Sequence, residues 1–220
     1  MTTRQPTFFI SHGGGPWPWM QEQTGDMYAP LSEFLQGLPQ QLPEPPKAIL
    51  VVTAHWETDT LRVSSAARPG MLYDYHGFPP HTYHIQYPAP GSPALAEQVK
   101  GLLNEAGIVA ELDPDREYDH GTFVPMAVAF PEANVPVVMV SIYKHRDPGA
   151  HLAMGRALAP LRDEGVLIVG SGLSFHNLRV MGRPEAAVPS KQFDDWLQQT
   201  LTQATPEERT QHLLHWDDAP

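Results

Sequence analysis

Histidines follow three separate runs of largely apolar residues. The runs lie at 7–10, 48–53 and 166–169, and the histidines that follow them are His12, His55 and His176. Such runs are typical of short buried β-strands. In open α/β sheets ligand sites form beyond the carboxyl ends of the strands, so we expect these side chains to converge. Because neutral imidazole binds Zn(II) and Fe(II) well, the pattern predicts a shared metal or catalytic site.

A fourth histidine, His120, lies between Asp119 and Gly121, just before a predicted apolar helix. Imidazole ordinarily titrates near pH ~6.5, which suits proton transfer at neutral pH, so His120 is a candidate acid or base. Capping or orienting the helix would explain it equally well. Likewise, each strand-end histidine taken singly could be a hydrogen-bonded structural residue.

Candidate substrate contacts come from the loops around this site. Residues 65–92 are rich in aromatic residues, proline and histidine, and a long irregular loop of this kind is typical of a lid or a binding loop. We expect Tyr73 and His76 of this loop, and Trp17 beside the glycines at 13–15, to contact substrate. Asn177, next to His176, is a further candidate. A packed loop and surface positions are the alternatives for these residues.

The elements that must position these residues alternate along the chain between apolar runs and helical patterns. Ser92 and Pro93 predict the start of one helix, and residues 108–112 and 135–142 predict further strands. Residues 124–130 and 148–161 predict helices, and 180–190 predict a linker before a last helix. This alternation indicates an α/β fold with a mostly parallel central sheet, helices on both faces and a site at the carboxyl ends of the strands.

The composition excludes several classes of protein. The chain has 220 residues, a formal net charge of −11 and no cysteine. We therefore expect no binding to nucleic acid or anionic membranes, and any metal would need His, Asp or Glu ligands. No signal peptide or membrane-spanning run is visible, so we expect a cytoplasmic protein. Base rates favour an isologous homo-oligomer.

Five segments together carry a family resemblance. They are SHGGGP at 11–16, TAHWE at 53–57, YPAPGSP at 87–93, DHGT at 119–122 and GLSFHNL at 172–178. In this order they resemble the class III extradiol ring-cleavage dioxygenases, in the LigB-like branch that includes the 4,5-DOPA dioxygenases. The resemblance implies a single catalytic domain over residues 1–220. It implies an oxidoreductase of aromatic compound catabolism that opens the ring of a catechol with O2.

The resemblance also implies roles for the histidines. His12 and His55 would bind one non-haem metal, which is Fe(II) in active dioxygenases, with Zn(II) an alternative in the isolated protein. His176 would be the third ligand or a base, and His120 would assist acid–base chemistry. Family members carry a further ligand near the C-terminus, and this chain ends at Pro220 before such a segment, so we expect that part of the family domain to be missing.

Two other functions remain open from the sequence. A zinc-binding, hydrolase-like protein would use the same histidines, because imidazole serves both metals. A non-catalytic relative would keep the fold and lose the chemistry.

Overall fold

The computed structural model describes residues 3–220 and is built on a six-stranded sheet. The strands are β1 (Thr7–Ser11), β2 (Ala48–Thr58), β3 (Leu61–Ser64), β4 (Ala110–Asp113), β5 (Val137–Tyr143) and β6 (Val166–Gly172). Their order is β1-β6-β2-β5-β3-β4. All neighbouring strands pair in parallel except β3 and β5, which are antiparallel.

Seven α-helices accompany the sheet within the described residues. They are α1 (Gln21–Thr24), α2 (Ala29–Gln36), α3 (Pro93–Glu105), α4 (His120–Ala129), α5 (Pro148–Leu158), α6 (Ala187–Thr202) and α7 (Pro206–Leu214). Ser92 caps α3 by accepting a hydrogen bond from the Leu95 amide, as expected for a serine that precedes a proline at the first helical position. No helix of residues 3–220 is long and apolar enough to cross a membrane.

Side chains of β2 alternate between two hydrophobic cores on opposite faces of the sheet. Val51 packs in one core with Phe123 of α4. Leu50 packs in the other with Leu95 of α3 and Met154 of α5. Successive residues of a strand point to opposite faces, so burial on both faces explains the continuous apolar run at 48–53. The predicted fold class, with a mostly parallel sheet and helices on both faces, is confirmed.

Several predicted boundaries were wrong. The most important error concerns β2, which continues through His55 to Thr58 instead of ending at Thr53. Its register against β5 shifts between Val52 and Glu57, so the strand is irregular where the histidine lies. Residues 65–92 are mainly irregular, as predicted, with one 3-10 helix at Pro80–His84.

Two helices also begin earlier than predicted. Helix α4 begins at His120, because Asp119 caps it, and not near Val124. Helix α6 begins at Ala187, inside the segment predicted to be a linker, and it follows a 3-10 turn at Pro184–Ala186.

We predict that Leu50→Ala lowers the free energy of unfolding by about 2–5 kcal/mol, because it leaves a cavity at a fully buried position of a central strand. Urea unfolding measures the loss. Leu178→Ala is the matched control at a site 69% exposed, and it should change stability by no more than about 0.5 kcal/mol. Equal losses in the two variants would contradict this account of the core.

Candidate metal centre

Three histidines meet at one edge of the sheet. His12 directly follows β1, His55 lies in the irregular part of β2, and His120 is the first residue of α4. One ring nitrogen from each lies within 4.8 Å of the others. The Nε2 atoms of His12 and His55 are 3.0 Å apart, and the ring centroids of His55 and His120 are 4.0 Å apart. The structure therefore groups three nitrogen donors from three separate elements.

The glycine loop after β1 holds His12 in place. Gly13 has a φ of +77°, and a Cβ there would lie 2.4 Å from the indole of Trp17. Because glycine leaves this space free, Trp17 folds back, and its Nε1–H donates to the His12 carbonyl at 2.9 Å. The indole also stacks on Tyr28, with 5.0 Å between ring centroids. The loop therefore fixes the backbone that carries the first histidine.

A buried carboxylate joins the strand and the helix that carry the other two histidines. Asp119 is fully buried, and its Oδ1 accepts hydrogen bonds from Thr53 Oγ1 at 2.9 Å and from the Thr122 amide at 3.1 Å. Its Oδ2 accepts from the Arg116 guanidinium at 2.6 Å. A buried charge needs such partners, and here they belong to β2, α4 and the segment before α4. This network sets the relative positions of β2 and α4.

The hydroxyl of Ser171 determines which nitrogen of His12 carries a proton. Ser171 Oγ donates a short hydrogen bond to the Gly121 carbonyl and lies 3.2 Å from His12 Nδ1. A hydroxyl has one proton to donate, so Ser171 must accept from His12 Nδ1–H. The remaining nitrogen of His12, Nε2, then has a free lone pair that faces His55.

Burial keeps two of these imidazoles, His12 and His55, uncharged. It lowers the pKa of His12 to about 3, with further lowering by the neighbouring His55 and His120. Burial and the field of His120 also lower the pKa of His55. Burial opposes ionisation of Asp74, but hydrogen bonds from His120 outweigh it and lower the pKa of that carboxyl.

Neutral imidazoles beside a carboxylate are a donor set that Zn(II) or Fe(II) prefers. The free lone pair of His12 Nε2 faces Nε2 of His55 at 3.0 Å, and His120 offers a third nitrogen within 4.8 Å, so the residues fit a divalent metal.

Comparisons with known proteins agree with this arrangement. Residues 2–219 match the family model described as the catalytic LigB subunit of aromatic ring-opening dioxygenase. The chain belongs to the LigB family. It is 41% identical over 208 residues to a 4,5-DOPA dioxygenase extradiol of Beta vulgaris, with 92% of this chain and 75% of the relative covered. It is 42% identical over 187 residues to the dioxygenase tasH of Hapsidospora irregularis, with 80% and 56% covered.

A solved structure is also similar to this LigB-family chain. The crystal structure of an uncharacterized protein from Escherichia coli K12 matches with a TM-score of 0.70 and 33% identity, over 97% of this chain and 80% of that one. The chain thus spans only part of these relatives, little more than half of the tasH dioxygenase. Family and relatives together support extradiol ring cleavage as the chemistry of this chain.

The three grouped histidines differ from the three predicted as ligands. The prediction was His12, His55 and His176, whereas the group contains His120 in place of His176. His176 is exposed and lies on the segment after β6. It is still near enough to His12 and His55 to contribute to the lowering of their pKa values. Its role as a ligand or base stays a prediction.

The predicted substrate contacts lie in different surroundings. Trp17 is 5% exposed and supports the glycine loop, as described above. Tyr73 is half-buried and donates from its hydroxyl to the Ile85 carbonyl at 2.7 Å. His76 and Asn177 are exposed, and Asn177 Oδ1 accepts from the Arg179 amide at 3.2 Å. Contact between these side chains and a substrate stays a prediction.

Sequence reasoning missed three polar residues of the site, namely Asp74, Arg116 and Ser171. Asp74 lies in the irregular loop 65–92, whose aromatic residues and histidines are the more conspicuous sequence signals. A usable signal was present for Ser171, because it is the one hydroxyl between the two glycines that end β6. Arg116 and Asp119 are three residues apart, a spacing that a search for ion pairs before a helix would have found.

Asp119→Ala should lower the free energy of unfolding by about 3–5 kcal/mol, because it leaves the Arg116 charge without its buried partner. Asp147→Ala is the matched control: this aspartate also caps a helix, accepting from the Ala150 amide, but it is exposed. Its loss should cost only about 1 kcal/mol. Urea unfolding compares the two variants, and similar losses would rule out the structural role given to Asp119.

The metal-free protein should lose stability as the pH falls below about 6.5. His12 takes up a proton in the unfolded chain but not in the folded one, where its pKa is about 3, so acid favours unfolding. The loss from this residue is up to about 1.4 kcal/mol per pH unit. Unfolding by urea in the presence of a chelator, at pH 6.5 and 4.5, measures it. His12→Gln should decline less steeply, and parallel declines in the two proteins would contradict the shift.

Proposed function

We propose that this chain opens the ring of a catechol with O2 at a centre held by His12 and His55, with Fe(II) as the metal needed for activity. The observation that carries the proposal is the meeting of three imidazole nitrogens within 4.8 Å of one another in a chain of the LigB family. When bound, a divalent metal would favour loss of the catechol hydroxyl protons and provide a place for O2. In the isolated protein Zn(II) would suit the same donors.

His120 is proposed as the acid–base residue. Its Nδ1–H donates to Asp74 at 2.8 Å, and a histidine held in this way by a carboxylate keeps its orientation and is stabilised when it gains a proton. Its other nitrogen faces the centre, where it can take a proton from a catechol hydroxyl and later return one. The same position makes His120 an alternative third ligand. If His120 is the acid–base residue, His176 is proposed as the third ligand, and if His120 is the ligand, His176 is proposed as the base.

A catechol of the DOPA type is the substrate class we propose. The relatives whose names specify a substrate are called 4,5-DOPA dioxygenases, and the loop 65–92 supplies aromatic rings beside His120. Tyr75 lies with its ring centroid 5.7 Å from that of His120, and Phe123 packs against Tyr75 at 6.4 Å. Both rings are buried, so in this proposal they pack behind His120 and give the centre an apolar aromatic backing. Cytoplasmic residence and a homo-oligomeric state stay predictions from the sequence.

The test is oxygen uptake after anaerobic loading with Fe(II). We expect L-DOPA or protocatechuate to be consumed with O2 and to give a yellow ring-fission product. Absence of uptake with every catechol, in protein shown to hold iron, would reject the dioxygenase. Zn(II) binding without oxygen uptake would indicate instead a zinc protein that uses the same site.

Alanine variants should separate the proposed roles of the histidines. His55→Ala should reduce bound metal to background, because it removes a ligand. His120→Ala, as loss of an acid–base residue, should keep the metal and lower turnover about 10²–10⁴-fold. Elemental analysis and oxygen uptake measure both effects, with the exposed His145→Ala as the control that changes neither. Loss of metal in His120→Ala would make His120 a ligand.

A further inference from the structure

Asp74 contacts two of the three grouped histidines at once. Its Oδ1 accepts hydrogen bonds from the backbone N–H of His120 at 3.0 Å and from Nδ1–H of the same residue at 2.8 Å. Its Oδ2 lies 3.5 Å from Nδ1 of His55. The side chain is only 18% exposed, so solvent competes weakly for these contacts. One carboxylate therefore lies behind two imidazoles whose far sides face the centre.

The proton arrangement follows from the chemistry of the carboxylate. An ionised carboxylate can accept hydrogen bonds but cannot donate them, so the nitrogens that face Asp74 carry the protons. His55 and His120 are then both protonated on Nδ1, and Nε2 of each has a free lone pair. For His55, that lone pair points at Nε2 of His12, 3.0 Å away. Ser171 imposes the same tautomer on His12, as its single hydroxyl proton is used elsewhere.

We propose that Asp74 is a positioning residue that sets the tautomers of His55 and His120, so that both present Nε2 to the same centre. This role rests on the proposed function for the identity of the centre, but it depends on contacts within this chain. Asp74 touches neither substrate nor metal in this role. It acts through the two imidazoles.

The backbone N–H of His120 determines how an asparagine at position 74 would be oriented. An asparagine at 74 would keep the size of the side chain but would have one acceptor and one donor. Its oxygen must face His120, because the backbone N–H there can only donate. Its NH2 group would then face Nδ1 of His55 and donate to it. His55 would be forced to carry its proton on Nε2, where it could no longer bind a metal, while His120 would keep its tautomer.

The experiment compares Asp74→Asn with Asp59→Asn in the full chain. Asp59 carries the same group at an exposed site, paired with Lys144 on the surface, and is the matched control. Long-range ¹H–¹⁵N NMR of the histidine rings, in metal-free protein, reports which nitrogen of each carries the proton when no metal fixes the tautomer. We expect Nδ1–H at His55 and His120 in the original protein and in Asp59→Asn. In Asp74→Asn we expect Nε2–H at His55 alone.

Zn(II) affinity, measured by competition with a coloured chelator, provides the second readout. It should fall about 10–100-fold in Asp74→Asn and stay unchanged in Asp59→Asn. Asp74→Glu retains a carboxylate and should restore the Nδ1–H tautomers, which a mere loss of folding in Asp74→Asn would not predict. Circular dichroism of each variant checks the fold directly.

The outcomes separate this proposal from the proposed function. Unchanged tautomers and affinity in a folded Asp74→Asn protein would overturn the role of Asp74, even if the original protein cleaves catechols. Conversely, the expected shifts in a protein that takes up no oxygen would support Asp74 and reject the dioxygenase. An original protein that binds no Zn(II) would overturn both.

Discussion

The site depends on keeping three imidazoles close together in a largely buried space where His12 and His55 stay uncharged. Charging His12 would place a cation in a poorly solvated space beside the other two rings, and this cost lowers the pKa of His12 to about 3. The surrounding polar groups are arranged accordingly. Ser171 and Asp74 accept hydrogen bonds from the Nδ1–H groups of His12 and His120, so the free lone pairs point inward. The same feature that makes the metal-free group unfavourable makes it a good place for a divalent cation.

The scaffold meets this demand with elements distant in sequence. A glycine loop after β1, an irregular stretch of β2 and the first turn of α4 each supply one imidazole. Asp119 connects the last two through Thr53 and the amide of Thr122. Since this carboxylate is fully buried and pairs with the largely buried Arg116, the relative positions of strand and helix depend on an ion pair that tolerates little change. Stability and function therefore share the same residues here.

Much of the fold could be predicted, because its main signals are local. The apolar runs at 48–53 and 166–169 mark strands buried on both faces, and Ser92 with Pro93 marks a helix start. The end of β2 could not be predicted in this way. Strand pairing with β5 resumes at Glu57 after a shift in register, and this pairing is a contact with a residue some 85 positions away. Propensity at Ala54 or Trp56 contains no information about that partner.

The candidate site was predicted less completely than the fold. Convergence of His12 and His55 followed from strand topology, whereas the place of His120 depends on the cap that Asp119 provides to α4. Asp74 was missed because its partners are fixed by how an irregular loop folds, which periodicity does not describe. His176 was grouped with the others since it follows a strand, but seven positions separate it from the last apolar residue of that run. Over such a distance the chain turns outward and the ring becomes exposed.

The origin of Asp74 has a consequence for how this centre is maintained. The carboxylate comes from the irregular segment 65–92, which is held to the rest of the molecule by core side chains such as Tyr75 and Tyr87 and by the bridge between Met71 and Tyr118. Anything that loosens this segment also withdraws the acceptor behind two rings, so they become free to exchange protons between their nitrogens. The order of this segment and the position of the protons on the two rings are therefore linked. Proteolytic cleavage within 65–92 would weaken the metal site through the loss of this acceptor while leaving the sheet intact.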